Sequence, residues 1–311
     1  YDVTLTRAGY VSQSVSLTIA PDGTARLAAA TWVRAELSVA DVRALLTSPQ
    51  RWAAADDAGR EQAARAIAAA NPGLTFQGLE RHRAGGVENV VAHFVHGRKG
   101  LELVRVPGGS YRIGPDASGR RPLDVTLSAP FLVGVTEVTQ ATWRAVMGNA
   151  PSEWRGDTLP VESISYVEAK EFCAKAGLTL PTEARWEVAC RAGVDGTYSF
   201  GNDPGGVDAH AWHYRNSDQR THPVGEKAAN AFGLHDVHGN VREWCLDVRG
   251  PYPSAPQMDP VGPEPPGDRV VRGGSCRSES ENVGSAFRDG EPPSARSPTL
   301  GLRAFHDLRL P

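Results

Sequence analysis

The part of the chain that most restricts its fold is the stretch after Gly193, which is rich in glycine and proline and has only short regular runs. Buried loops leave backbone N–H and C=O groups that need partners, so a loop-rich stretch of about 100 residues requires internal devices to hold it together. Trp143, Trp186 and Trp244 offer large apolar surfaces for this purpose. We therefore expect a loop-rich domain in which these tryptophans are buried.

Length and charge narrow the function classes. The chain has 311 residues, and domains of roughly 100 to 200 residues make two domains the natural expectation. A net charge of −3 gives no electrostatic support for a nucleic-acid partner or an anionic membrane surface. No apolar run approaches the roughly 18 residues that a membrane helix needs, so we expect no membrane span.

The chain opens at Tyr1 without a leader, so we expect an upstream region and leave the compartment open between bacterial cytoplasm and cell surface.

The first 98 residues divide into two segments. Residues 1–35 carry apolar side chains at alternate positions, which predicts short antiparallel strands. This segment resembles the end of a PEGA module, a small β-domain. Residues 36–98 predict two helices, the first capped by Ser38, and two strands. We expect them to form a small lobe separate from the domain at 99–311.

His93 and His96 fall on opposite faces of a strand, so we do not expect them to bind a metal together.

Three helices are predicted in the larger segment, at 139–147, 166–176 and 182–191. Glu183, Arg185 and Glu187 in the third helix are expected to point outward and form a surface ion network. The four cysteines, Cys173, Cys190, Cys245 and Cys276, have no short CxxC spacing. This pattern favours buried thiols over a zinc site or a disulfide framework.

Seven short motifs follow one another in order over about 200 residues. They are VPGGSYRIG (106–114), FLVGVTEVTQ (131–140), LPVESIS (159–165), LTLPTEARWE (178–187), NAFGLHDVHGNVREW (230–244), RGGS (272–275) and LGLR (300–303). This series resembles the formylglycine-generating-enzyme, or sulfatase-modifying factor, family. The resemblance implies an α+β domain of the C-type lectin fold, loop-rich and with a small antiparallel sheet.

The resemblance also indicates where catalysis would require cysteines. Family members with oxidase activity use two cysteines after the Gly-Gly-Ser turn, and the matching positions here are Ser278 and Val283. Copper(I) prefers soft thiolate ligands, which neither residue provides. The iron site of related sulfoxide synthases uses a His-x3-His-x-Glu pattern that residues 1–100 lack. We therefore expect neither copper nor iron.

A calcium site is implied at the Gly-Asn-x-x-Glu-Trp turn. By the family resemblance its ligands would be the side chains of Asp236 and Glu243 and the backbone carbonyls of Gly239 and Val241. Carboxylate and carbonyl oxygens suit a hard cation such as calcium. The alternative is that the two carboxylates only cap the turn.

The leading functional interpretation is a non-catalytic domain that binds a protein or small-molecule ligand through its final segment. The candidate contact residues are small, polar or aromatic: Cys276, Arg277, Ser278, Glu279, Ser280, Asn282, Phe287, Asp289, Glu291, Ser294 and Ser297. Variable proteins diversified by retroelements and sensor domains linked to bacterial kinases are both similar. The rival interpretation is an oxidoreductase of this family with altered chemistry, in which Cys276 acts with His235, His238 and Asp247.

Overall fold

A computed structural model describes residues 2–5, 13–19, 25–27, 36–97, 100–114 and 122–311, the first three ranges as backbone only. The strands are β1 (Asp2–Leu5), β2 (Gln13–Ile19), β3 (Ala25–Leu27), β4 (Leu74–Ala84), β5 (Val87–His96), β6 (Leu101–Val106), β7 (Gly109–Ile113), β8 (Leu123–Leu127), β9 (Phe131–Gly134), β10 (Arg242–Val248), β11 (Gln257–Met258), β12 (Arg269–Arg272), β13 (Arg288–Glu291), β14 (Leu300–Gly301) and β15 (Phe305–Asp307). The helices are α1 (Val39–Thr47), α2 (Pro49–Ala54), α3 (Asp57–Ala70), α4 (Gln140–Met147), α5 (Tyr166–Ala176), α6 (Glu183–Arg191) and α7 (Val207–His210).

The described strands form four sheets. Strands β1, β2 and β3 make a small antiparallel sheet, which confirms the strands predicted for the first segment. A five-stranded antiparallel sheet has the order β15-β9-β6-β5-β4. A four-stranded sheet has the order β13-β12-β10-β14, and a third, three-stranded sheet has the order β11-β8-β7.

The boundary that we expected between residues 98 and 99 falls inside one continuous sheet. Strand β5 pairs with β6 from His93↔Val104 to His96↔Leu101. Helices α1 and α3 contribute Leu46 and Ile67 to a buried cluster that also contains Leu103 and Leu132 from the larger segment. Residues 36–97 therefore extend the larger domain and do not form a separate lobe. The prediction failed because hairpin pairing across residue 98 has no signature in composition.

Helix ends follow the expected capping chemistry. The Thr139 hydroxyl caps α4, and Ser165 and Glu168 form a complete capping box at the start of α5. Gly177 ends α5 with a φ of 70°, a left-handed conformation that glycine adopts without steric cost. Over the part of the chain that the structure describes, none of the helices combines the length and the apolar character needed to cross a bilayer.

The loop-rich half is held together by a core of aromatic and charged side chains. Trp143, Trp186 and Trp244 are each no more than 1% exposed, as expected. Glu183 and Glu187 differ from the expectation, because both are buried and face inward. Glu183 pairs with Arg288 at 2.6 Å, and Glu187 pairs with Arg191 at 2.7 Å and with the fully buried Arg272. Arg288 and Arg272 come from the distant segment after residue 270, so the helix sequence gave no sign of these two partners.

Candidate functional site

The two positions that carry cysteines in the oxidase members of the family have different environments here. The Ser278 hydroxyl accepts a hydrogen bond from the Ser275 N–H at 3.0 Å, and the Ser278 carbonyl accepts one from the Tyr214 N–H at 2.9 Å. Val283 is fully buried in a small apolar cluster with Tyr198, Val207 and Ala211. Ser278 thus stabilises a turn, and Val283 packs in an apolar cluster. Neither offers a sulfur ligand.

Cys276 does not lie at the surface, contrary to our expectation that it contacts a ligand there. Its side chain is 0% exposed. Its N–H donates to the Asn240 carbonyl at 2.8 Å, and its carbonyl accepts from the Ser217 hydroxyl at 2.5 Å. Burial raises the pKa of the Cys276 thiol to about 12, so the reactive thiolate is scarce at neutral pH. The position after the Gly-Gly-Ser turn therefore packs inward.

All four cysteines are buried thiols without disulfide bonds, which confirms the expectation from their spacing. Burial raises the pKa of Cys173 and of Cys190 to about 12, and raises that of Cys245 well above its ordinary value. Isolation from solvent and a protonated sulfur both disfavour nucleophilic or metal-binding chemistry.

The residues of the rival catalytic interpretation do not gather into one site. His238 is buried, with Nδ1 2.7 Å from the Val283 carbonyl and Nε2 accepting from the Ser199 N–H at 3.1 Å. Burial lowers the pKa of His238 to about 4. His235 Nδ1 lies 2.6 Å from the Lys227 carbonyl.

Asp247 has a separate role at the start of α6. Its carboxylate accepts a hydrogen bond from the Glu183 N–H at 2.7 Å, and burial raises its pKa to about 7. Asp247 and Glu183 line a cavity of about 430 Å³ that is walled by the proline-containing loop at 250–263. Cys276 makes no hydrogen bond with Asp247 or with either histidine, although the structure describes all four residues. The geometry therefore supplies no Cys–His pair.

The candidate binding segment divides into two parts. The first is an exposed turn at 277–282, in which Arg277, Glu279 and Asn282 are exposed and Ser278 and Ser280 are half-buried. The Arg277 guanidinium lies over the Trp154 ring at 5.2 Å, and Glu279 lies 3.9 Å from Arg215.

Two aromatic residues beside this turn were not predicted as contacts. Tyr214 is 45% exposed, and its N–H donates to the Ser278 carbonyl. Trp154 is half-buried under Arg277. Both residues lie far from the turn in sequence. The sequence marked each of them only as an aromatic side chain in an irregular segment. We call Trp154, Tyr214, Arg215, Arg277 and Glu279 the turn surface.

The second part of the segment surrounds β13. Asp289 and Glu291 share Arg242, at 3.5 and 2.7 Å, so both carboxylates already have a partner within the domain. Phe287 is half-buried, Ser294 is exposed, and the Ser297 hydroxyl lies 2.9 Å from that of Thr299. These contacts are mostly internal to the domain. The turn surface therefore offers more exposed side chains for contact with a partner than the residues around β13.

The turn implied to bind calcium contains a buried group of charges. One oxygen of Asp236 accepts from the Gly225 N–H at 2.7 Å, while Oδ1 is buried and has no hydrogen-bond partner. Both oxygens of Glu243 are engaged, by the Trp186 indole N–H at 2.6 Å and by Arg303 at 2.8 Å. Burial raises the pKa of Asp236, and the neighbouring Glu243 carboxylate raises it further. Asp236 is therefore suited to a cation, whereas Glu243 already has one in Arg303.

Comparison with known proteins identifies relatives along most of the chain. The family described as the sulfatase-modifying factor enzyme 1-like domain matches residues 93–308. A formylglycine-generating enzyme of Streptomyces coelicolor is 30% identical over 281 residues, covering 67% of this chain and 90% of that enzyme. The chaperone protein LppX of Paenibacillus barcinonensis is 29% identical over 261 residues, covering 65% of this chain and 88% of that protein.

A solved structure shares the fold. Treponema denticola variable protein 1 is 28% identical, with a TM-score of 0.63, and the match covers 73% of this chain and 98% of that chain. The mixed α+β, C-type-lectin-like fold expected from the seven motifs is thereby confirmed. Because the family match spans more than half of the 311 residues, the chain belongs to the sulfatase-modifying factor enzyme 1-like family, which includes the formylglycine-generating enzymes.

Proposed function

We propose that this protein is a non-catalytic binding domain that contacts a protein or small-molecule ligand through the 276–299 segment. The observation that carries the proposal is the environment of Ser278 and Val283. A hydroxyl that closes a turn and a valine in an apolar cluster replace the two thiols that the oxidase reaction needs. The scaffold of the family is retained while the chemistry of its reactive centre is lost.

The turn surface, which joins Arg277 and Glu279 of this segment to Trp154, Tyr214 and Arg215, is best suited to hold a partner. Arginine, tyrosine and tryptophan are enriched among the residues that dominate binding energy, because they combine large contact area with polar groups. Arg277, Trp154 and Tyr214 bring these three side-chain types together. The similarity to Treponema denticola variable protein 1 supports a role in which this segment varies between relatives. The same binding role would also suit a sensor domain attached to a kinase.

The test compares Arg277→Ala with Arg65→Ala. Both arginines are exposed and stack on an aromatic ring, Arg277 at 5.2 Å over Trp154 and Arg65 at 5.3 Å over Phe76, but Arg65 lies on α3, away from the segment. A photo-crosslinking amino acid is placed at Tyr214, and cross-linked partners from a host extract are competed with unlabelled protein. We expect a competed product that Arg277→Ala weakens at least about tenfold and Arg65→Ala leaves unchanged. Equal yields from the two variants would refute the assignment of the surface.

Calcium at the 236–243 turn remains part of the proposal. Asp236 Oδ1 and the carbonyls of Gly239 and Val241 are the expected ligands, while Glu243 would join them only if Arg303 moved away. We expect millimolar calcium to raise the melting temperature of the protein after treatment with a chelator, and Asp236→Ala to remove the effect. An unchanged melting temperature would mean that the carboxylates only stabilise the turn.

A further inference from the structure

A cluster of two histidines and a glutamate lies on the β4–β5 hairpin, outside the surface discussed above. Glu80 and His82 are two residues apart on β4, so their side chains share one face of the sheet. His93 on β5 stands opposite Gly78, which has no side chain to compete for that face. His93 can therefore lean along the strand toward Glu80.

The three ligating atoms form a nearly equilateral triangle. Nε2 of His82 lies 3.3 Å from Nε2 of His93, and each of these nitrogens lies 3.4 Å from Oε2 of Glu80. In a tetrahedral zinc site, ligand atoms about 2.0–2.2 Å from the ion are separated from one another by about 3.3–3.6 Å. Among the described residues, this is the group of histidine, cysteine and acidic side chains close enough to hold one ion.

The site is partly buried and is open on one side. The side chains of His82 and His93 are 22% and 14% exposed. Gly233 closes one side, because a Cβ at that position would lie only 2.6 Å from His82 Nε2. Glu80 is 58% exposed, which leaves the opposite side open to water as a fourth ligand.

We propose that Glu80, His82 and His93 form a binding site for zinc or a similar borderline divalent ion. Two imidazoles and one carboxylate favour such ions over calcium or magnesium, which prefer all-oxygen ligands. Because Glu80 and His82 come from β4 and His93 from β5, the ion cross-links the two strands of the hairpin. The site is independent of the binding function proposed for the turn surface.

The alternative is a hydrogen bond without any metal. When both imidazoles are neutral and their Nε2 atoms lie 3.3 Å apart, one Nε2 donates its proton and the other accepts it. A metal replaces that shared proton and engages both lone pairs together with the carboxylate. The two cases differ in whether the protein binds one ion per chain and in whether loss of either histidine abolishes that binding.

The experiment uses the full chain after removal of metals with a chelator. Zinc, cobalt, calcium and magnesium are added separately, and the melting temperature is followed together with the visible absorption of bound cobalt. We expect zinc at about 100 times its dissociation constant to raise the melting temperature by about 5–10 °C. We also expect cobalt to bind once per chain with the intense absorption of a tetrahedral site, and calcium and magnesium to have no effect.

The variants are His93→Gln, Glu80→Gln and the control His96→Gln. His96 lies on the same strand and is paired with His306, their ring centroids 5.5 Å apart, with no carboxylate in the group. We expect His93→Gln to abolish the zinc effect, Glu80→Gln to weaken zinc binding at least tenfold, and His96→Gln to preserve it. No binding by the parent protein, or zinc binding that survives His93→Gln, would overturn the proposal.

Discussion

Arg272 is the residue whose loss should weaken the loop-rich half most. It comes from β12, is 0% exposed, and forms ion pairs with Glu183 and Glu187 of α6. Its guanidinium lies 5.0 Å from the centre of the Trp186 ring and donates to the Ser285 carbonyl at 3.1 Å. Burial lowers the pKa of Arg272, but the attractions of Glu187, Tyr252 and Glu183 together outweigh burial, and the net shift is upward. A permanent buried charge thus joins a helix to the segment that follows residue 270.

Replacing Arg272 by methionine keeps most of the side-chain volume and removes this charge. Glu183 retains Arg288 and Glu187 retains Arg191, but one oxygen of Glu187 loses its closest partner. Breaking a buried pair in this way costs about 3–5 kcal/mol. At about 2–4 °C per kcal/mol, the melting temperature should fall by about 6–20 °C.

The control for Arg272→Met is Arg144→Met. Arg144 pairs with Asp157 at 2.8 Å, but the two side chains are 49% and 72% exposed. Exposed pairs contribute at most about 1 kcal/mol, so this variant should melt within about 4 °C of the parent protein. The double variant Arg272→Met, Glu187→Gln should recover none of the loss, because Glu187 still pairs with Arg191 and its removal leaves that buried guanidinium without a carboxylate. Urea unfolding measures all four proteins, and a loss below about 1 kcal/mol for Arg272→Met would refute the reasoning.

Two further predictions concern buried titratable groups. Burial raises the pKa of Asp236 above its ordinary value of 3.8, so its contribution to stability is complete below about pH 4 and is lost as pH rises through the higher folded value. In chelator, Asp236→Asn should therefore stabilise the protein by about 1–2 kcal/mol at pH 8 and by less at pH 5, and an equal effect at both pH values in urea unfolding would contradict this. The four buried cysteines should react with a thiol reagent only after denaturation, and fast labelling of Cys276 in the native protein would contradict its placement in the core.

Local sequence signals were sufficient for α4, α5 and α6 and for the family, but residues 36–97 contain three helices where two were predicted, and α7 was not predicted. The caps at Thr139, Ser165 and Gly177 involve residues within a few positions of one another, so their chemistry is visible in the sequence. The ordered motifs predicted the fold because each one carries a turn or a buried aromatic residue that the scaffold requires.

Contacts between distant segments were not predictable in the same way. Glu183 and Glu187 were expected to point outward because their partners, Arg288 and Arg272, lie about 100 residues later. His93 was compared with His96, its neighbour in sequence, whereas strand register places it opposite Gly78, and its ring reaches across the hairpin to His82. Cys276 was assigned to the surface because the segment around it is polar, but the turn directs its side chain inward. Each error concerns a register or a turn geometry that a single sequence does not specify.

The most direct test of the central claim is an oxidation assay. The protein is loaded with copper and incubated with a cysteine-containing sulfatase peptide, beside the Streptomyces coelicolor enzyme as a positive control. With Ser278 and Val283 in place of two thiols, the peptide should keep its thiol and gain no aldehyde. Aldehyde formation that disappears in Cys276→Ala would contradict the non-catalytic account and assign an oxidase activity to this chain.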